Sequence, residues 1–588
     1  MIDLYKHSKQ EAIFLVILVV ILQMILGFQG FDVCDDGFVL TSFQQIFNNP
    51  ESVEYNFVYY LSTFVGGIWH EMYPNGGILW FRFFTVLVNT LKFVIAFLIL
   101  KEIIPKRIAL AGCFMLLFVN NFGFLTFYHN YLTEVLALSS IYFFLKYFKT
   151  DLYKYLFIAG FLTGINVFTR LPNITLFVLA LSIPYFCYLK KQRFLSSIKP
   201  ILFYVLGSIT GLLTICLLMF SLGHLEIFTK ALLSLFDLGE TKGSTHDVGA
   251  LISFYGYEYQ QLLFYGTILI ISIVGLSMTN RYIGAKKLPR YTMYLLAFLC
   301  YTKLFLHYHL YFIYAIGMVG TLAILSSKSA NTVLKSMASI GLLMAIFLPV
   351  GSAAGIYSSG FMCLWLSFPL FFYWLYSEAP LVIDWFKFPE NNDRQKLFKT
   401  VCILMILAFV SAKFYNISKE SYFDYGSRFQ KTFTIESDLA KGIYTKEKRA
   451  NIINDILNEL KHQVKKGDYL FVYDKLPMLH FLTETKPYLY NPWVWIYDHN
   501  SFKKQLLRAE NEIKTYPVVV VQKFDSHNGF SPPIPNYLKS TTNHKGIPLL
   551  QNELLKHKQT QQFLTRNAYK IVWSNDFFDI LKTQKKHP

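Results

Sequence analysis

Apolar residues come in long runs through the first two thirds of the chain, separated by short polar loops. The first run, Ile13 to Leu26, follows a short N-terminus carrying Lys6 and Lys9. It is too long, and too poor in a small-residue cleavage site, for a removed signal peptide, so it reads as a signal anchor entering from the cytoplasm. Further runs lie at roughly 79–100, 108–122, 131–146, 154–168, 173–189, 200–220, 258–278, 290–303, 308–327, 332–350, 361–377 and 399–413. Together they predict about thirteen transmembrane helices, several shorter than the roughly 20 residues a perpendicular span needs. Short spans are tolerated where they line a polar cavity. Residues 1–414 are therefore expected to form a polytopic α-helical membrane region, with outer loops at 29–78, 119–130 and 222–258. The stretch Tyr55 to Ile68, apolar but hardly long enough to cross, is expected to lie in the interface. The loop at 222–258 is long for a connector and is expected to act as a lid.

From about 415 to 588 the pattern changes. A helix is predicted over Lys446–Lys465, a strand over Asp468–Tyr473, a helix near Phe502–Lys514 and an apolar run at Pro517–Val521. A helix near Leu549–Thr565 and a strand at Tyr569–Trp573 follow. Helices alternating with apolar runs predict a small α/β domain, long enough for its own core.

Basic residues sort the loops into two sets. Lys101, Lys106 and Arg107 share a side with Lys146, Lys149 and Lys154, with Lys190, Lys191 and Arg193, and with Arg281, Lys286, Lys287 and Arg290. Lys328 and Lys335, then Arg394, Lys396 and Lys399, continue the series, while the alternate loops are poor in bases. The positive-inside rule puts the N-terminus in the cytoplasm, and an odd number of spans puts the C-terminal domain outside. Composition agrees: 54% hydrophobic residues and a mean hydropathy of +0.37 exceed what a soluble domain carries. Aromatic residues, at 18%, suit interfacial belts and an aromatic-lined cavity. The net charge of +18 resides in the orienting loops and in the tail. It points to acidic lipid headgroups or anionic glycans, not to nucleic acid. The seven cysteines form neither a disulfide framework nor a metal-ligand spacing.

The chemistry concentrates at the outer loops. Phe31-Asp32-Val33-Cys34-Asp35-Asp36-Gly37-Phe38 sets three carboxylates within five residues at the membrane edge, and no Lys or Arg follows before Arg82. One reading is a solvated loop in which Asp36 caps a helix from Phe38 to Phe47. The other is an active-site carboxylate pair, Asp35 and Asp36, facing the non-cytoplasmic side. In the same loop His70 and Glu71 read either as substrate contacts or as the polar end of an interfacial helix. Tyr128, His129, Asn130 and Glu134 open the fourth run, and a glutamate inside a span is costly unless it faces a cavity. With Asp35 and Asp36, Glu134 could hold a divalent cation through oxygen ligands. Arg170, followed by Leu171-Pro172-Asn173, breaks a helix at the outer face and offers a planar donor fork suited to phosphate, or else snorkels. Lys303 and His307, four residues apart and so on one helix face, present the same two options.

Asp35-Asp36-Gly37-Phe38 after the first span resembles the acidic motif of C-type (GT-C) glycosyltransferases. Tyr128-His129-Asn130-Tyr131-Leu132-Thr133, Arg170-Leu171-Pro172-Asn173 and an outer α/β tail extend the resemblance to the group of protein O-mannosyltransferases and the lipid A aminoarabinose transferase. Gly442-Ile443-Tyr444-Thr445 before a charged helix is similar to bacterial members. The resemblance implies a polyprenyl-phosphate-linked sugar as donor, bound from the bilayer. It implies transfer on the extracytoplasmic face to a glycan, lipid or protein acceptor, in cell-envelope glycan synthesis at a bacterial inner membrane. Asp35 is then the base, with Asp36 orienting it or binding the acceptor or a cation. Arg170, Lys303 and His307 face the donor phosphate, and His129, Asn130, Glu134 and His70 the acceptor or sugar. The resemblance implies no definite cofactor, with a divalent cation as an option. The alternative is a transporter or flippase for a lipid-linked sugar. It would need midplane polar residues and paired inverted halves, whereas the polar residues here gather in outer loops.

Overall fold

An apolar segment can enter hydrocarbon only by satisfying its own backbone hydrogen bonds, and the apolar runs fold as helices accordingly. The computed structural model describes residues 8–240, 248–283, 286–307, 309–350, 355–378, 392–526 and 529–585. The first helices are α1 (Ser8–Gly27), α2 (Asp35–Gln45), α3 (Tyr60–Met72), α4 (Gly77–Leu100), α5 (Lys106–Leu117) and α6 (His129–Thr150). Then come α7 (Tyr153–Asn166), α8 (Ser182–Leu189), α9 (Ile198–Ser221), α10 (Leu225–Glu240), α11 (Val248–Ile283) and α12 (Lys287–His307). The membrane region ends with α13 (His309–Ser326), α14 (Thr332–Phe347), α15 (Gly355–Ser359), α16 (Leu364–Tyr373) and α17 (Asn392–Lys419).

Among the described residues, seven helices are long and apolar enough to cross a membrane. The number is eight if α12 and α13, bent by 115° at their junction, make one broken span. The chain is thus a multi-pass membrane protein. Several other runs predicted to cross form shorter helices: α5, α7 and α14 have 12, 14 and 16 residues. The stretch expected to lie in the interface is a 3-10 segment (Pro50–Tyr59) leading into α3. Of the predicted lid, Leu225–Glu240 and the start of α11 are helical, and Lys242, His246 and Asp247 lie outside the described residues.

Two of the shorter-spaced helices touch backbone to backbone. α7 carries Gly160 and Gly164, α9 carries Gly207 and Gly211, and the two pairs face each other. A Cβ on Gly160 would lie 2.0 Å from the Tyr204 carbonyl oxygen, and one on Gly207 would lie 2.0 Å from that of Phe157. This is the small-xxx-small device by which membrane helices gain van der Waals contact without a hydrophobic driving force.

After α17 the chain makes two small hairpins, β1 (Glu420–Ser421) with β2 (Asp424–Tyr425), and β3 (Phe433–Thr434) with β4 (Tyr444–Thr445). Next come α18 (Glu447–Gln463), β5 (Tyr469–Tyr473), α19 (Met478–Thr483) and β6 (Lys486–Pro487). The chain closes with α20 (His499–Glu512), β7 (Val518–Gln522), α21 (Gln551–Arg566), β8 (Lys570–Ser574) and β9 (Phe578–Lys582). The last five strands form one mixed sheet in the order β6-β5-β7-β9-β8. β5 runs parallel to β6 and β7, and β9 antiparallel to β7 and β8. The apolar runs Leu470–Tyr473 and Val519–Val521 are the buried central strands, as unbroken apolar runs should be when both sheet faces are covered.

The core of this sheet is continuous with the first outer loop. Phe31, Val33, Cys34 and Phe38 belong to the same buried cluster as Phe471, Tyr473, Met478 and Tyr497. The loop's apolar side chains are therefore covered by the tail instead of lying against lipid.

Replacing Gly207 by Val should force α7 and α9 apart. Overpacking of this kind costs about 1–3 kcal/mol. The melting temperature of the detergent-purified protein should fall, and an unchanged melting curve would mean that the two helices are not in backbone contact.

Candidate active site

The acidic loop starts α2 at Asp35, three residues before the expected start at Phe38, because a different carboxylate does the capping. Asp32 Oδ1 accepts from the Cys34 amide at 2.7 Å and Asp32 Oδ2 from the Asp36 amide at 2.9 Å. These are two of the donors that a helix start leaves unpaired. Burial, with Asp36 and Asp35 alongside, pushes the Asp32 carboxyl well above its ordinary range, and the two amides oppose this.

Asp36 turns inward and is buried. Its Oδ2 accepts from the Thr126 hydroxyl at 2.8 Å and from Arg82 Nη2 at 3.4 Å. Arg82 also donates to the carbonyls of Gly27 and Gly30, each at 2.7 Å. One guanidinium thus joins the end of α1, the acidic loop and α4. Burial raises the Asp36 pKa, opposed by Arg82 and Thr126.

Asp35 differs from both. It alone within residues 31–40 keeps partial exposure. Its Oδ2 accepts from the Tyr422 hydroxyl, and its other oxygen has no hydrogen-bond partner among the described residues. Burial raises its pKa to about 6, the Tyr422 bond opposing and the Asp36 charge adding to the rise.

The tail holds the loop from above. The Met478 amide donates to the Val33 carbonyl at 3.2 Å, and Cys34 Sγ to the Lys475 carbonyl at 3.4 Å. The Phe31 amide donates to Asp424 Oδ2 at 3.0 Å, and Arg449 Nη1 to the Phe31 carbonyl at 2.9 Å. Gly37 sits so close beneath α19 that a Cβ there would lie 2.1 Å from the Met478 nitrogen. The glycine of the Asp-Asp-Gly-Phe motif is required by this approach of two backbones.

Facing the loop are Tyr59, Tyr128, His129 and Arg170. The rings of Tyr59 and His129 stack at 4.2 Å, 9° from parallel. Both tyrosine hydroxyls lie within electrostatic reach of Arg170 and Asp35 together. Burial pushes both phenols up, with Arg170 opposing and Asp35 adding to the rise. Arg170 is held at the turn after α7 by the Asn173 that follows it. Asn173 Nδ2 donates to Thr133 Oγ1 at 2.8 Å and to the Asn166 carbonyl at 3.0 Å, and Asn166 Nδ2 donates to the Thr133 carbonyl at 3.1 Å. Arg170 is only 5% exposed, yet neither terminal nitrogen has a hydrogen-bond partner among the described residues. Tyr59 and Tyr128 thus lie within electrostatic reach of both the candidate acid and the candidate phosphate contact.

Other expected site residues have different surroundings. Glu134 accepts from Lys92 Nζ at 3.1 Å and from Trp365 Nε1 at 2.5 Å. It forms a buried ion pair between α4 and α6. No group of three His, Cys, Asp or Glu side chains that could hold a metal occurs among the described residues. The expected cation set of Asp35, Asp36 and Glu134 is thus not assembled, because Glu134 and Asp36 each face a cation of the chain's own. Asn130 is buried and donates to the Tyr128 hydroxyl at 3.0 Å, steadying that wall of the site. His70 is buried at the end of α3, stacked near Phe81 and within reach of Glu484 and Lys466 of the tail; burial lowers its pKa. Lys303 and His307 are exposed on α12, His307 Nδ1 lying 3.2 Å from the Lys303 carbonyl. Neither is among the described side chains around Asp35 or Arg170. The sequence reading missed Tyr59, Arg82 and Tyr422. Arg82 had a signal, being the first base after the acidic loop, but it lies 46 residues from its partner and Tyr422 lies 387 residues from its own.

Residues 74–221 match the family model of dolichyl-phosphate-mannose-protein mannosyltransferases. This stretch carries a C-type glycosyltransferase signature. It spans Arg82, Tyr128, His129, Glu134 and Arg170, and the resemblance read from the motifs is borne out there. Two solved structures are similar. An oligosaccharyltransferase from Archaeoglobus fulgidus, in complex with Zn and sulfate, is 13% identical over 86% of this chain and 68% of its own, with a TM-score of 0.44. ArnT from Cupriavidus metallidurans, bound to undecaprenyl phosphate, is 10% identical over 98% of each chain, with a TM-score of 0.40. Both likenesses are loose. No curated protein matches the chain in sequence.

Replacing Arg82 by Met would leave Asp36 buried beside no cation. Breaking a buried pair from one side costs about 3–5 kcal/mol. Thermal unfolding in detergent should show a larger loss for Arg82→Met than for Asp35→Asn, which removes a charge but keeps an amide oxygen able to accept from the Tyr422 hydroxyl. Equal losses would show that the Asp36–Arg82 pair does not hold the loop.

Proposed function

We propose that the chain is an inverting glycosyltransferase of the bacterial inner membrane. It moves a sugar from a polyprenyl-phosphate-linked donor to an acceptor on the extracytoplasmic face, in cell-envelope glycan synthesis. In this reading the N-terminus is cytoplasmic, and the α/β tail, about 415–588, is extracytoplasmic. What supports it is a partly exposed carboxyl, Asp35, and a buried guanidinium, Arg170, whose terminal nitrogens lack hydrogen-bond partners among the described residues, both within electrostatic reach of Tyr59 and Tyr128.

The chemistry follows from these groups. An acceptor hydroxyl oxygen attacks the anomeric carbon on the face opposite the phosphate. The new C–O bond forms as the bond to the phosphate oxygen breaks, with inversion at that carbon. The hydroxyl proton passes to the free oxygen of Asp35, which acts as general base. Polyprenyl phosphate leaves with an added negative charge, and the two free ends of the Arg170 fork match its oxygens. Tyr59, Tyr128 and His129 offer ring faces and hydroxyls to the sugar. Asp36 holds the loop through Arg82 and takes no proton.

Asp35→Asn should lower transfer by about 10²–10⁴-fold, the range removed with a general base, while the protein still folds. Arg170→Ala should lower it by about 10²–10³-fold, the scale of losing one preorganised donor to a developing charge. Transfer of labelled sugar from polyprenyl phosphate to envelope extracts measures both. Undiminished transfer by Asp35→Asn would remove the base assignment.

The pH profile is a separate check. Asp35 works as the carboxylate, so the rate should be low where it is protonated and rise as pH passes through about 6. A profile flat from pH 4.5 to 8 would contradict a base of raised pKa.

A further inference from the structure

We propose that Tyr422, delivered by the first hairpin of the tail, is the positioning residue of the base. The proposal rests on the reading of Asp35 as that base. Tyr422 lies between β1 and β2, where Ser421 pairs with Asp424 and Phe423 takes the left-handed conformation at φ +47°. One end of this hairpin grips the acidic loop. Asp424 Oδ2 accepts from the Phe31 amide at 3.0 Å and from the Thr445 hydroxyl at 2.6 Å, and Arg449 Nε lies 3.4 Å from Asp424 Oδ1. A Cβ on Gly30, at φ +97°, would lie 2.4 Å from Ser421 Oγ, so hairpin and loop touch there as well. The other end presents the Tyr422 ring, packed edge-on against Phe122 at 5.1 Å, with its hydroxyl on Asp35 Oδ2.

The consequence is chemical. Tyr422 binds one carboxylate oxygen as a donor and keeps its own proton, since burial and the Asp35 charge push its pKa well up. The other oxygen stays open to the acceptor hydroxyl. The groups facing Asp35 are Asp32, Cys34 and Asp36 on its own segment, Tyr59 from the 3-10 segment, Tyr128 from the start of α6, and Tyr422 from the tail. The acids and burial all favour the protonated form, and among these groups Tyr422 supplies the hydrogen bond that favours the carboxylate. A residue beyond the last membrane helix thereby keeps the base ionised near neutral pH and fixes which lone pairs it offers.

The test is Tyr422→Phe in the full-length protein, which retains the ring and its packing on Phe122. A hydrogen bond to the charged form lowers a carboxyl pKa, so its loss should move the acid limb of the transfer rate upward by about one pH unit. Activity should fall near pH 6 and recover at higher pH. Loss by the same factor at every pH would mean that Tyr422 is only structural, and an unchanged profile would mean that the bond does not matter; either overturns the proposal. The Asp35 carboxyl band in pH-difference infrared spectra, assigned by its absence in Asp35→Asn, should show the same upward shift without reference to turnover. If Asp35→Asn retains transfer, the base reading fails, and this infrared titration still decides the Tyr422 contact. If Tyr422→Phe does not fold, 3-fluorotyrosine at position 422, a stronger donor of nearly the same shape, should move the midpoint downward; no shift overturns the proposal.

Discussion

Three carboxylates beside a hydrocarbon layer must each be neutralised, hydrogen-bonded or protonated, because an unpaired buried charge costs more than folding can return. The first outer loop meets this demand in three different ways. Asp32 is used up by two helix-start amides. Asp36 is used up by Arg82 and Thr126. Asp35 receives one neutral hydroxyl and no cation, and it alone of the three keeps some exposure, with its pKa raised to about 6. The division of labour proposed for the acidic motif is thus a consequence of how its charges are compensated. In that proposal two acids build the loop and the third exchanges the proton.

The compensation comes from two directions, and this ties the membrane region to the tail. Arg82 approaches from α4, at the mouth of the helical bundle. Asp424, Arg449, Lys475 and Met478 approach from the tail and take up the loop's backbone groups at Phe31, Val33 and its thiol at Cys34. The loop's apolar side chains then complete the core of the five-stranded sheet. A loop with backbone pairs and apolar contacts on both sides has few ways to move. That rigidity suits a base that must be held within hydrogen-bond reach of a bound hydroxyl.

What the sequence disclosed follows from which signals are local. Hydrophobic runs and the 3.6- and 2-residue periods are local, so the helical membrane region, the central strands β5 and β7 and the helices α18, α20 and α21 were legible. Run length gave about thirteen crossings, whereas seven or eight of the described helices are long and apolar enough to cross; α5 and α14 are shorter and contribute buried residues to the helical core. The acidic loop and Arg170 were legible because each places a costly charge where no sequence neighbour relieves it. Partners were not legible. Glu134 read as a site residue because Lys92 lies 42 positions away. Lys303 and His307 share a helix face, as their spacing requires, but that face is exposed. The identity of the helix cap went to Asp32 because the two amides it accepts from depend on the bend at Cys34, which tertiary packing against the tail imposes.

The buried arginines make the argument for Arg170 sharper than its position alone. Arg82 donates to two carbonyls and a carboxylate. Arg428 donates to the carbonyls of Ile417, Leu26, Gln29 and Phe122. Arg449 holds a carbonyl and the Asp424 carboxylate. Each guanidinium reaches protein acceptors through its terminal nitrogens, although Arg82 Nε has no hydrogen-bond partner among the described residues. Arg170 is buried to the same degree, in a chain evidently able to saturate such a group, and its terminal nitrogens still lack protein partners among the described residues. Its neighbours are phenols, a histidine and a thiol instead of a carboxylate, and two of those phenols, Tyr59 and Tyr128, also feel the Asp35 charge. In the proposed reading an anion would complete this arrangement. An oxyanion whose charge grows as a neighbouring hydroxyl loses its proton is the ligand that would use both halves of it at once.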